Sequence, residues 1–225
     1  KITPAGLKSQ NFSWTISTKP TIASTQTSIE TKMSAVAFTV TGLPIYGPLE
    51  GPTPTAEAYG DHVYNKLLDT CGGHTGYNAD YHNHQVLAIA ACSLEETIIG
   101  YALDGFPIYS NPSNTLKSGY EKTGNPKSYS FKAYTYTGAT GTLDECNGQK
   151  QSDGSYRYYI TESFPYVIGC YTGTAQAQSG AAAQPMPPMG PPGPVGKSSA
   201  IRDQSIEESQ FVTPTTFLCN IKEDF

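Results

Sequence analysis

The chain has 225 residues, of which 37% are hydrophobic and 15% charged, with 16 tyrosines, 22 glycines, 17 prolines and a net charge of −5. That is length enough to bury a core, and with no clustered basic patch it argues against nucleic acid as a partner. No stretch approaches the roughly 18 apolar residues that a membrane-spanning helix needs.

The mixture of β-branched, aromatic and turn-forming residues suits short strands joined by many turns. In chain order, residues 1–33 come first, rich in Ser and Thr, with Phe12-Ser-Trp14-Thr-Ile16 alternating as a strand would. So few apolar residues cannot build a core. The segment is therefore expected as an extended arm that either completes a neighbour's sheet by strand donation or folds back on its own domain. Asn11-Phe12-Ser13 is an N-glycosylation acceptor pattern.

Val36-Ala-Phe38-Thr-Val40-Thr-Gly42-Leu-Pro44-Ile45-Tyr46 then aligns without a gap on Ile99-Gly-Tyr101-Ala-Leu103-Asp-Gly105-Phe-Pro107-Ile108-Tyr109. Each copy predicts a period-two strand followed by a Gly-x-Pro turn. A second match follows in the same order: Asp69-Thr-Cys71-Gly-Gly73-His74 pairs with Asp144-Glu-Cys146-Asn-Gly148-Gln149. Ten residues after each cysteine a tyrosine opens a tetrad, Tyr81-His-Asn-His84 in one half and Tyr156-Arg-Tyr-Tyr159 in the other. Cys92 and Cys170 close the two units. We expect a mainly β fold with few short helices, built from two repeats, about 34–96 and 97–172, around a pseudo-twofold axis. With residues 174–225 they form one domain, 34–225. Residues 174–200 read as a Pro/Gly/Ala-rich loop and 201–225 as a region with a strand near Phe211 to Leu218.

The five cysteines lack the C-x-x-C spacing of zinc knuckles and redox sites. Disulfides in an extracellular, oxidising compartment are the expectation. The repeat favours Cys71–Cys92 and Cys146–Cys170, each closing a loop of roughly 20 residues for about 3 kcal/mol, and leaves Cys219 over. The chain starts at Lys1 rather than Met, which reads as a mature form without its leader.

The tetrad, the Asp-x-Cys-x-Gly-His element, the Gly100-Tyr-Ala-Leu-Asp-Gly-Phe-Pro-Ile-Tyr109 run and Phe164-Pro-Tyr166-Val-Ile-Gly169-Cys170-Tyr171 together resemble secreted proteins with a YHYH domain, over roughly residues 36–173. The resemblance implies an exported protein and brings no established reaction. Here the tetrad reads Tyr-His-Asn-His, and the second half has lost every imidazole.

His82 and His84, two apart on a strand, would share one face, and His74 could approach from the preceding turn. Three imidazoles suit zinc or copper with an open position for water or substrate; Asp80 or Asp104 could add a carboxylate. The alternative is a structural strand whose imidazoles satisfy buried polar groups. His62 stands apart in the sequence and reads as an ordinary surface or helix residue. Asp69 and Asp144 suit turn-capping, and Glu95-Glu96 a solvated loop. Two readings of function stay open. One is a non-enzymatic extracellular structural protein, a fibre subunit self-associating through Phe12, Trp14 and Ile16 of the arm, with carbohydrate as a further partner. The other is a secreted metal-binding protein or metalloenzyme using His74, His82 and His84.

Overall fold

The computed structural model describes residues 7–49, 60–76, 79–86, 96–127 and 129–179. Cys92, Glu95, Cys219, most of the Pro-rich loop and the whole 201–225 region lie outside them. Two central strands, β2 (Ala35–Thr39) and β6 (Ile98–Ala102), run antiparallel. Each ends in a turn made by a glycine with positive φ, Gly42 at 86° and Gly105 at 93°. L-residues avoid that conformation, so glycine is what lets the chain reverse here. The reversal returns β3 (Pro44–Tyr46) along β2 and β7 (Pro107–Tyr109) along β6.

Outside these lie β5 (Tyr81–Asn83) with β4 (Gly73–Thr75), and β11 (Tyr156–Tyr159) with β10 (Gly148–Lys150). The order of the eight-stranded sheet is β10-β11-β7-β6-β2-β3-β5-β4. From its centre outward, the strands that carry matched sequence segments occupy mirrored places. The matched residues Phe38 and Tyr101 sit directly opposite each other. Register shifts also fall at matched positions, Ala35/Ala37 and Ile98/Gly100. The β3–β5 and β7–β11 contacts are parallel, the others in this sheet antiparallel. The central strands are buried more completely than a half-buried alternation predicts: Ala35, Val36, Ala37 and Thr39 are all inaccessible. Elements cover both faces, which is why the alternation expected from the sequence breaks down.

Two small pairs complete the described structure. Strand β8 (Tyr120–Lys122) pairs with β9 (Tyr134–Tyr136), which follows the single helical turn α1 (Ser130–Ala133). Strand β1 (Thr27–Ser28) pairs antiparallel with β12 (Cys170–Tyr171).

The N-terminal segment is seated on its own domain. Residues 11–16 alternate exposed and half-buried as expected, yet they pair with no strand. Side chains hold them instead. Trp14 stacks between Phe12 and Phe38, at 5.7 and 5.0 Å between ring centroids, and its indole N–H donates to the Gly42 carbonyl at 2.9 Å. The side chain of Gln178 bonds both backbone groups of Thr15. Further on, Ala23 N–H donates to Thr172 O, and Ile29 is fully buried in the core. Among the described residues the arm thus makes these contacts with its own domain.

The Cys146–Cys170 bridge is formed, with 4.5 Å between Cα atoms. Among the described residues Cys71 is an exposed thiol, and its expected partner Cys92 lies outside them. The Cys71 side chain points outward from the turn that its counterpart Cys146, fully buried, turns inward.

Candidate metal centre

The site grows from the Asp69–Gly73 turn. One Asp69 oxygen accepts the backbone N–H groups of Cys71 (2.9 Å) and Gly73 (3.2 Å), and the Tyr81 hydroxyl donates to both carboxylate oxygens at 2.9 and 3.0 Å. That explains the ten-residue offset between cysteine and tyrosine: β5 must return far enough for Tyr81 to reach the Asx turn. Gly73 is required beneath it, since a Cβ there would collide with the Tyr81 ring and the His82 carbonyl. The clamp fixes the β4–β5 register so that His74 faces His82. His84 follows two residues on, on the same face, while Asn83 between them points away and donates to the Cys71 carbonyl at 3.0 Å.

The three rings form a nearly regular set. Centroids of His74, His82 and His84 are 4.8, 5.0 and 4.9 Å apart, and the ring planes meet at 79°, 81° and 75°. One nitrogen from each lies within 4.8 Å of the others, and all three residues are buried. The Nε2 atoms of His74 and His84 face each other at 3.1 Å. On the outer side, His84 Nδ1 donates to the Gly47 carbonyl at 2.8 Å, and Asp80 Oδ2 stands 3.5 Å from His82 Nδ1. His74 bonds the Leu67 backbone. Tyr46 stacks on His82 at 4.0 Å. Burial, then the neighbouring imidazoles, pushes His84 well below its usual range and His74 down to about 4. The His82 ring beside Asp80 outweighs burial and lowers its pKa.

His62 is the residue that the sequence reading missed. It is fully buried, its ring centroid lies 3.3 Å from that of His84, and its Nε2 donates to the same Gly47 carbonyl at 3.2 Å. Burial depresses its pKa too. The segment around it has no counterpart in the second half, so neither the repeat nor any spacing marked it out.

In the second half the same scaffold carries other side chains. Asp144 accepts from Cys146 N–H, Gly148 N–H and the Tyr156 hydroxyl, all near 3.0 Å. Gln149 pairs with Arg157 where His74 pairs with His82. The Arg157 guanidinium lies 4.4 Å over Tyr109, as His82 lies on Tyr46, and bonds Glu96 at 2.7 Å. Glu96 is thus an ion-pair partner rather than a merely solvated residue.

A family model described as YHYH protein matches residues 13–173. The chain belongs to that family. The match begins inside the N-terminal segment rather than near residue 36, in keeping with an arm that is bonded to the rest of the YHYH domain. No curated protein and no solved structure matches the chain significantly.

Within this YHYH domain the sequence-predicted residues separate cleanly. His74, His82, His84 and Asp80 come together. Asp104 does not join them: Tyr158 O–H (2.6 Å), Gly173 N–H (2.9 Å) and Phe106 N–H (3.3 Å) bind it in the turn after β6. Asp69 and Asp144 cap their turns as expected. Asn11 is exposed, and no described helix is long and apolar enough to cross a membrane.

Proposed function

We propose that this YHYH protein binds a zinc or copper ion through His74, His82 and His84. One observation carries the reading. A neutral imidazole has one N–H; His84 spends its own on the Gly47 carbonyl, and His74 bonds the Leu67 backbone. His84 therefore turns an Nε2 lone pair toward the His74 Nε2 at 3.1 Å, an arrangement that a cation between the two rings stabilises. Two ligands of a tetrahedral zinc stand ~3.3 Å apart, given Zn–N bonds of about 2.0–2.1 Å. Backbone or carboxylate partners behind metal-ligating histidines fix tautomer and ring orientation, and Gly47, Leu67 and Asp80 supply such partners here. Three protein ligands leave a further position for water or a substrate.

The finer architecture supports the same reading. We infer that the two halves are copies of one unit about an axis through Phe38 and Tyr101, on the strength of mirrored strand order, matched register shifts and two Asp–Tyr clamps. In the second copy the Arg157 guanidinium then takes the place of the His82 imidazole. The Cys146–Cys170 bridge favours an exported protein. An assembly role for the arm has no comparable support, because Trp14 and Ile29 already pack on its own domain.

The test is elemental analysis of protein purified without chelators, followed by titration of the stripped protein with Zn²⁺ and Cu²⁺. One ion per chain is expected, with the affinity lost in the His82→Ala/His84→Ala double variant. Lack of stoichiometric metal, or an unchanged affinity in that variant, would leave the histidines as internal hydrogen-bonding groups.

A further inference from the structure

A second site stands on the other side of the fold, where β8 and β9 meet the β1–β12 pair. A cavity of about 440 Å³ is lined by Tyr120, Phe131, Tyr134 and Tyr136, with Glu30 and Glu145 beside them and no basic side chain in its described lining. The aromatic planes are the telling feature. Tyr134 lies parallel to the buried Phe164, at 4°, while Tyr120 and Phe131 stand at 77° and 84° to that same ring. Tyr134 is therefore nearly perpendicular to both, and Tyr136 meets Tyr120 at 64°. Packed around Phe164, these rings line the cavity at steep angles to one another and make what we call a box.

They are also fixed in place. The Tyr120 hydroxyl donates to Glu145 O (2.9 Å), Tyr136 to Leu143 O (3.2 Å) and Tyr134 to an Asp61 oxygen (3.3 Å). Walls locked before binding lose little entropy on capturing a ligand. Glu30 is held at the rim by the Tyr129 hydroxyl at 3.0 Å, and Glu145 is exposed at the mouth. Neither carboxylate makes an ion pair among the described residues. Burial first, and then Glu145, Tyr136 and Asp144, raises the Tyr120 pKa.

We propose that this box binds a small organic cation, a quaternary or protonated alkylammonium group, by cation–π contact with the tyrosine and phenylalanine faces and charge attraction to Glu30 and Glu145. A sugar ring would need one flat aromatic face on which to lie. Rings set at right angles suit a roughly spherical charge, and the negative aromatic faces and two carboxylates match its sign. The same chain already uses this chemistry at its surface, where Lys32, Lys122 and Lys132 each lie over a tyrosine ring.

Calorimetric titration of the full chain with choline, with its uncharged isostere 3,3-dimethylbutan-1-ol, and with glucose tests the assignment. Choline should bind saturably, and the neutral isostere roughly tenfold or more weakly, the factor that one desolvated cation–π contact supports. Glu145→Lys, at an exposed position, should cost choline a similar factor at an unchanged thermal midpoint. No saturable choline binding, equal binding of the two isosteres, tighter binding of glucose, or a silent Glu145→Lys would each overturn the proposal. None of these outcomes depends on the histidine cluster.

Discussion

His82 and His84 present the same imidazole chemistry to the cluster, but different partners stand behind them: a carboxylate, Asp80, for one and a backbone carbonyl, Gly47, for the other. A carboxylate makes its imidazole a more basic ligand and holds its tautomer. Asp80→Asn keeps the shape and removes the charge, so metal affinity in competition with a chromogenic chelator should fall ~10–100-fold with the fold intact. An unchanged affinity would mean that Asp80 only fills space. The Gly47 carbonyl cannot be removed by substitution, so His84→Ala is the stronger probe there and should cost more than Asp80→Asn. Two of the proposed ligands were legible because a strand puts residues two apart on one face. His74 was legible from its place in the turn just before that strand, and His62 not at all: it comes from a turn that contributes no periodicity, and only the fold brings it against His84.

The Asp–Tyr clamp decides register at the level of the hairpin, and the two copies separate its structural role from its functional one. Asp144→Ala leaves the Tyr156 hydroxyl, 3% exposed as a residue, and two backbone N–H groups without their acceptor, a loss of roughly 2–4 kcal/mol. Metal affinity should not change. Asp69→Ala should destabilise comparably and also weaken metal binding, since it frees the His74–His82 register; equal metal affinity in both variants would detach the clamp from the site. The arm is a second element whose role can be measured. Deleting residues 1–33 removes Ile29 from the core, strand β1 from β12 and the Trp14 stack. Loss of a cooperative thermal transition by circular dichroism is expected; a truncated chain that melts cooperatively near the full-length midpoint would make the arm an accessory. Alternation along Phe12-Ser-Trp14-Thr-Ile16 was visible in the sequence. What those side chains meet was not, because Phe38, Gly42 and Gln178 lie up to 163 residues away from their partners.

Over the whole molecule the repeat foretold strands β2 and β6 with the glycine turns after them, yet not which edges would meet in parallel, since β3–β5 and β7–β11 join segments whose contact leaves no local pattern. Burial of a histidine-rich cluster has a global consequence that the full chain can report. His62, His74 and His84 are buried with depressed pKa values, His74 at about 4 against an ordinary 6.5. Below pH 6.5 the unfolded chain takes up protons on these imidazoles that the folded chain refuses, so the unfolded state binds more protons and stability falls as pH falls. Each histidine contributes up to ~1.4 kcal/mol per pH unit until its folded pKa is reached. Asp61, Asp104 and Asp144 act in the opposite sense: burial raises their pKa above 3.8, so the folded state holds their protons longer and gains stability as acid is added. Those carboxylates temper the slope at the acid end, while just below pH 6.5 the histidines prevail. Metal-stripped protein should therefore melt at progressively lower temperature from pH 7 to pH 5. Added zinc should raise the midpoint at pH 7, and that increment should shrink as acid protonates the ligands. A midpoint that stays level across this range without metal would mean that these imidazoles are charged in the fold, and a charged His74 and His84 could not hold the ion.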